Sequence, residues 1–122
     1  MSLAERTGLV LACARTLYVN GQSTAQTLAA ARRLGDCLGL CATIIPRWGE
    51  ITIEAEDKDA RLISQVTADP TNVNMNRVVS TMSMIEEVNA GRLAPNAAMQ
   101  AIDAISRAPP ARSALACTTP AP

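Results

Sequence analysis

The sequence predicts an α+β domain: a two-helix hairpin, a three-stranded antiparallel sheet and a second two-helix hairpin. Three observations support this prediction. Apolar residues recur every three to four positions in four segments, as in amphipathic helices. Between the second and third of these segments, apolar and polar residues alternate, as in strands with one buried face. Helix caps and turn-forming residues separate the segments, so helices and sheet are segregated along the chain.

The first two helices begin at serine residues. Residues 2–5 and residues 23–26 both have the spacing of a capping box, in which serine and a residue three positions later bond each other's backbone amides. The first helix is predicted to end near Val19, and Gly39 is predicted to end the second. The intervening loop is so short that the two helices should form a hairpin.

The middle of the chain is predicted to form three strands. Residues 41–45 are short and β-branched, and residues 51–55 alternate between apolar and polar side chains. The third strand is expected at residues 60–67, with Leu62 and Val66 facing inward. The turn chemistry of residues 46–49 and 57–59 predicts the two chain reversals.

Two more helices follow the break at Asp69-Pro70. The third is predicted at residues 74–89, with a core stripe that includes Met75 and either Val78 or Val79. The fourth begins at Pro95, a favourable first helical residue, and ends before Pro109. Residues 1–108 are therefore expected to form a single soluble domain, and residues 109–122 a disordered tail or linker.

The composition excludes several functions. The chain has 122 residues, 11 basic and 11 acidic side chains and no histidine. A zero formal charge argues against a nucleic-acid partner, which would require a cationic surplus. Without histidine the chain cannot form a Ser-His-Asp site, and no apolar run reaches the length of a membrane span. Cytoplasmic exposure is the default expectation.

No metal site or cofactor is predicted. Only Cys37 and Cys41 of the four cysteines are close in sequence, and the cysteines are expected to be small buried residues. Residues 54–59 are acidic but lack calcium-loop spacing, which favours a solvated face. The only lysine, Lys58, lies between two aspartates, which favour its charged form over a catalytic base.

Two segments are candidate ligand or interaction sites. Ser23 and Thr24 follow Asn20 and Gly21 at a helix start, where free amides could hold a carboxylate. The alternative is that they only cap the helix. The second candidate is the turn formed by Arg47, Trp48, Gly49 and Glu50. Its tryptophan could anchor a partner, or it could fold over the end of the sheet and close the core.

Several motifs together resemble the N-terminal domain of the threonine/serine exporter family. They are YVNGQST at residues 18–24, LGDCLGL at 34–40, IPRWGE at 45–50, NAGRLAP at 89–95, IDAI at 102–105, and Pro109-Pro110. The resemblance extends over about residues 5–110 and rests on the order and spacing of the motifs rather than on any one of them.

The resemblance implies a cytoplasmic domain that precedes membrane helices exporting threonine and serine. The expected partners are a membrane-embedded part of the same family or a second copy of the chain, with threonine or serine as a ligand. Joined to such a part, the domain would lie at the cytoplasmic face of the cell membrane. In the family a membrane segment follows the Pro-Pro pair, whereas residues 111–122 are small and polar, so a truncated product or a separate regulatory half is expected.

Two other functions remain open at this stage. The family's N-terminal domain has been suggested to be hydrolase-like, and that activity would fall on Ser23 or Thr24. The chain could instead be a free-standing interaction module that uses the turn at residues 47–50. The favoured hypothesis is a regulatory or assembly module for transmembrane export, without chemistry of its own.

Overall fold

The computed structural model describes residues 1–70 and 73–107, and it confirms the predicted α+β architecture. Two helices precede a three-stranded antiparallel sheet and two helices follow it. The elements are α1 (Leu3–Val19), α2 (Thr24–Cys37), β1 (Cys41–Arg47), β2 (Glu50–Glu56), β3 (Arg61–Thr67), α3 (Met75–Asn89) and α4 (Pro95–Arg107). The predicted tail at residues 109–122 lies outside the described residues.

The sheet has the order β1-β2-β3, and its central strand is the most buried. Ile51 and Ile53 of β2 are fully buried, as the alternating pattern predicts. The first strand is longer than predicted, because β1 continues through Pro46 to Arg47. Proline is tolerated there since β1 is an edge strand and pairs on one side only. The predicted turn at residues 46–49 is therefore wrong by two residues.

Helix α1 lies at the centre of the domain. It packs against the other three helices and against β2 and β3. Leu9, Val10 and Leu17 are fully buried in it, which explains the long apolar run near the N-terminus. Fully burying each such side chain stabilises the fold by roughly 1.5–3 kcal/mol.

The two predicted capping boxes differ in the structure. At α1 the box is complete: Ser2 Oγ accepts from the Glu5 amide at 3.1 Å, and the Ser2 amide donates to Glu5 Oε1 at 3.0 Å. At α2 only half of it forms. Ser23 Oγ accepts from the Gln26 amide at 3.2 Å, but the Ser23 amide donates to the side chain of Gln22 at 2.9 Å. The neighbouring glutamine thus replaces the predicted partner.

Three apolar assignments need correction. In α3, Val78 is buried, whereas Val79 and Met75 are 61% and 53% exposed, so Met75 does not belong to the core stripe. Cys13 is buried as predicted, but Cys37 and Cys41 are exposed. Cys37 is the last residue of α2 and Cys41 the first residue of the edge strand β1, and the buried Leu40 lies between them. All three described cysteines are free thiols.

Candidate functional site

One surface groove brings together the two segments that the sequence singled out. It has a volume of about 430 Å³. We call it the Trp48 groove, and its lining residues are Tyr18, Thr24, Pro46, Arg47, Trp48, Gly49, Asp69 and Pro70. The start of α2 and the tip of the β1–β2 hairpin are thus neighbours in space although more than twenty residues separate them in sequence.

Trp48 stands at the tip of the hairpin with its whole side chain in solvent. Arg47 pairs with Glu50 at the end of the ladder, so only Trp48 and Gly49 connect the two strands. The residue is 102% exposed relative to an extended reference chain. The sequence left two possibilities for Trp48: an exposed side chain that could anchor a partner, or a side chain folded over the end of the sheet. The second is wrong, because Trp48 is fully exposed. A large aromatic side chain held free of the core is typical of an interaction anchor.

Gly49 and Asp69 form the tightest contact in the wall of the groove. Gly49 has a φ of +76°, which a turn requires at its third position and which L side chains rarely adopt. A Cβ at this position would lie 2.8 Å from Asp69 Oδ1. The Gly49 carbonyl also accepts from the Ala68 amide at 2.9 Å. A hydrogen bond therefore holds the segment after β3 against the tip of the β1–β2 hairpin. Because Gly49 has no side chain, the Asp69 carboxylate can approach its backbone closely.

Ser23 and Thr24 have different roles. Ser23 caps α2 with both its side chain and its carbonyl, which accepts from the Thr27 amide at 2.9 Å. Thr24 is the first residue of α2 and lines the Trp48 groove. A serine nucleophile needs a general base within hydrogen-bond reach. The hydroxyl of Ser23 instead accepts a backbone amide, and the chain contains no histidine.

Asn20 and Gly21 do not belong to the lining of the Trp48 groove. Asn20 is buried; its Nδ2 donates to the Thr16 carbonyl at 2.7 Å, and its Oδ1 accepts from Arg77 Nη1 at 3.4 Å. Its carbonyl accepts from the Asn74 amide at 2.9 Å. Asn20 therefore ties the end of α1 to the start of α3. Glu50, likewise, belongs to the strand ladder rather than to the groove.

Four lining residues were not singled out from sequence: Tyr18, Pro46, Asp69 and Pro70. From sequence, Tyr18 was named only as the first residue of the motif at residues 18–24, and Asp69-Pro70 only as a chain break. One compositional signal could have found Tyr18. The chain has a single tyrosine, a single tryptophan and no phenylalanine, and both aromatic residues line this groove.

The acidic segment at residues 54–59 has structural partners. Asp57 Oδ1 accepts from the amides of Asp59 and Ala60, each at 2.9 Å, and Oδ2 accepts from Arg6 at 2.8 Å. These backbone hydrogen bonds, more than Arg6, lower the pKa of Asp57 below its usual value. Glu54 pairs with Arg61 on the neighbouring strand. Within residues 1–70 and 73–107, acidic and cysteine side chains form no cluster that could hold a metal ion.

Comparison with protein families decides the classification. A family model described as "Putative threonine/serine exporter" matches residues 8–120. The chain belongs to this exporter family. No curated protein and no solved structure gives a match. Residues 18–24 and 45–50, two of the segments that carried the sequence resemblance, both contribute lining residues to the Trp48 groove. None of the helices described in this family member is long and apolar enough to cross a membrane.

Proposed function

We propose that this chain is a cytoplasmic regulatory or assembly module of a threonine/serine exporter. One observation supports the proposal most directly. Two motifs of an exporter-family chain, distant in sequence, build one groove that contains both aromatic residues of the chain. Transport itself requires elements that span the bilayer. We propose that a membrane-embedded part of the same family supplies them, in the same polypeptide or in another, and that this module lies at the cytoplasmic face.

The groove suits contact with a protein partner. Trp48 offers a large rigid apolar surface, and Arg47 and Asp69 add one charge of each sign beside it. Tryptophan and arginine are enriched among the residues that dominate binding energy at interfaces. Opposite charges at the rim of such a site favour one orientation of the partner over others. The geometry thus supports assembly better than a chemical reaction, and no observation favours a hydrolase at Ser23 or Thr24.

Co-purification and efflux measurements test this proposal. The full chain is expressed with the membrane-embedded part of a family exporter, and cells loaded with threonine are followed for efflux. Trp48→Ala should weaken capture by about thirtyfold, the equivalent of a 2 kcal/mol interface residue, and slow efflux. Ile63→Ala is the matched control, because Ile63 is 60% exposed but lies outside the groove. Equal capture and efflux for wild type and Trp48→Ala would contradict the proposal.

Titration distinguishes sensing from assembly. If the module senses the transported amino acids, threonine or serine added to the purified chain should release or absorb heat in the millimolar range. If the module acts only through protein contacts, the titration stays flat and the capture experiment alone responds to Trp48→Ala. An amino acid that binds but leaves both capture and efflux unchanged would argue against a regulatory role.

A further inference from the structure

The two edges of the sheet differ in how they are protected. Strands β1 and β3 are the edge strands, and among the described residues each pairs with β2 alone. Proteins keep an open edge from pairing with another chain by means of proline, charged side chains or a bulge. Pro46 removes a backbone donor from β1. Strand β3 has no proline, and its single charged residue, Arg61, pairs with Glu54 of the same chain. The edge of β3 is therefore the one that can accept a further strand.

Alternate residues of β3 direct their backbone groups away from β2. The Ala68 amide donates to the Gly49 carbonyl at 2.9 Å, so the even-numbered positions of the strand belong to the ladder with β2. The odd-numbered positions face the open edge, as the Thr67 carbonyl shows by accepting from Arg15 Nε at 2.8 Å. Arg15 thus covers the last edge position. Those that remain open among the described residues are Arg61, Ile63 and Gln65.

A second copy of β3 matches these three positions in one register. When two antiparallel β3 strands pair about a two-fold axis at Ile63, Ile63 lies opposite itself and Arg61 lies opposite Gln65. An axis further along the strand would require the Thr67 carbonyl, which Arg15 already occupies. An axis nearer the start of the strand would leave Gln65 opposite the turn that precedes β3. The open edge is therefore self-complementary.

The outward side chains of β3 also fit this register. Ile63 is 60% exposed, and pairing would place it against Ile63 of the second copy, which removes apolar surface from water. Arg61 would meet the uncharged amide of Gln65, so no like charge lies directly opposite it. The apolar contact at the centre and the lack of a like-charge pair both favour a second copy as the partner.

One basic residue of each copy comes close to an acidic turn of the other. In this register the end of β3 that Arg15 covers lies opposite Asp59 of the second copy. The turn at residues 57–59 contains two aspartates and one lysine, so its net charge is negative. Asp103 shares a cleft with Arg15 but pairs with Arg107 of its own helix. Opposite charges across an interface favour one orientation of the partners, which here is the antiparallel one.

The acidic side chains of β2 stand back from the paired edge. They lie on the outer face of the sheet and are Glu50, Glu54 and Glu56. Three strand spacings, or about 14 Å, would separate the glutamates of one copy from those of the other. This separation exceeds the screening length of physiological salt, so their mutual repulsion does not oppose the pairing.

We propose that two copies of this chain pair through antiparallel β3 strands, so that their sheets join into one continuous sheet with Ile63 at the two-fold axis. A single pair of strands buries little area, so the dimer should be weak, with a Kd on the order of micromolar. Residues 61–65 do not line the Trp48 groove. Failure of this dimer would therefore leave the proposed role in export standing.

Sedimentation velocity of the full chain, at concentrations below and above this Kd, tests the proposal. The wild type should change from the mass of one chain to that of two. Ile63→Lys places two like charges opposite each other and should raise the Kd at least about tenfold. Thr43→Lys is the matched control and should keep the wild-type Kd, because Thr43 is exposed on β1 and pairs with Glu54 from its other side. Circular dichroism confirms that each protein is folded.

Mixing two variants tests the register. Ile63→Lys and Ile63→Glu should each be largely monomeric where the wild type is a dimer. An equimolar mixture should dimerise, because residue 63 opposite itself places lysine against glutamate. The proposal is overturned if the wild type stays monomeric throughout, or if Thr43→Lys weakens the dimer as much as Ile63→Lys does. A mixture that associates no more tightly than either variant alone also overturns it, since residue 63 then does not lie at the two-fold axis.

Discussion

Asp69 Oδ1 occupies the space into which a side chain on Gly49 would project, 2.8 Å from the position of its Cβ. The two residues belong to different turns: Gly49 closes the β1–β2 hairpin, and Asp69 follows β3. Their contact, together with the hydrogen bond from the Ala68 amide to the Gly49 carbonyl, fixes where Trp48 stands relative to the exit of the sheet. The shape of the groove therefore depends on the absence of a side chain at position 49.

Gly49→Ala should lower the free energy of unfolding by about 1–2 kcal/mol, because a positive φ is unfavourable for an L side chain. It should also push the Asp69 carboxylate out of the groove wall. Gly91→Ala is the matched control, since Gly91 has a φ of +79° with nothing within 4 Å of its Cβ position. Urea unfolding should give a similar loss for both variants, but only Gly49→Ala should change the emission of Trp48. A Gly49→Ala protein with the stability and the Trp48 emission of the wild type would contradict this account.

Asn20→Ala should destabilise the domain by about 1–3 kcal/mol, because it removes a buried side chain that bonds the Thr16 carbonyl and Arg77. Asn76→Ala provides the comparison. Asn76 is exposed in α3, where alanine is the better helix former, so its replacement should be neutral or slightly stabilising. Chemical denaturation measures the free energy of unfolding of both variants. If the two variants lose equal stability, Asn20 does not connect α1 to α3 as described.

Ser23→Ala should cost about 1 kcal/mol of stability, the usual effect of losing a helix N-cap. Ser23→Asp retains an acceptor for the Gln26 amide and should keep most of the wild-type stability. The midpoints of urea unfolding separate the two variants. A cap role would be refuted by Ser23→Ala and Ser23→Asp unfolding at the same midpoint as the wild type.

Asp57 should make the stability of the domain depend on pH. Its pKa in the folded state is lowered by the backbone amides of Asp59 and Ala60, and further by Arg6. A lowered folded-state pKa means that Asp57 stabilises the fold above the unfolded value of about 4, and that this contribution disappears as the pH falls through the folded pKa.

Asp57→Asn should therefore unfold more easily than the wild type at neutral pH, and the gap between them should close in acid. Asp59→Asn is the control within the same turn, because Asp59 takes part through its backbone amide. Thermal unfolding followed from neutral pH to about pH 2 measures the gap. A difference in stability between wild type and Asp57→Asn that stays constant over this pH range would show that the charge of the Asp57 carboxylate does not contribute to stability.

The three described cysteines should react with a maleimide at very different rates. Burial raises the pKa of the Cys13 thiol to about 12, so at pH 8 only about one Cys13 in ten thousand is a thiolate. Cys37 and Cys41 are exposed and should be modified in the folded protein. Mass spectrometry of the digested protein identifies each site. Cys13 should react only after unfolding in urea, and rapid native labelling at Cys13 would mean that the core around α1 is open.

The sequence predicted the elements well because their signals are local. The cap at Ser2, the alternation around Ile51 and Ile53, and the proline that begins α4 each act within a few residues. The errors occurred where tertiary position decides. Pro46 is tolerated in a strand only because β1 is an edge, and Met75 is exposed because α3 turns its other face inward.

The groove could be predicted only in part, for the same reason. Thr24 and Trp48 were singled out separately, each from its own turn or cap, but nothing local shows that the two segments meet. Tyr18 and Asp69 reach the groove through the packing of α1 on β3, which no short motif encodes. Fold class therefore followed from periodicity, whereas the site required the arrangement of elements in space.

The central position of α1 has a consequence for how this protein is made. Of the described elements α1 is synthesised first, yet the elements that cover it include β3, α3 and α4, the last of which ends at Arg107. The part of its apolar surface that β3, α3 and α4 cover therefore stays exposed on the ribosome until almost the whole described chain has emerged. A nascent chain in this state is vulnerable to aggregation, because its apolar surface is exposed before its partners exist. We expect chaperone demand during translation to fall sharply only once α4 has left the exit tunnel.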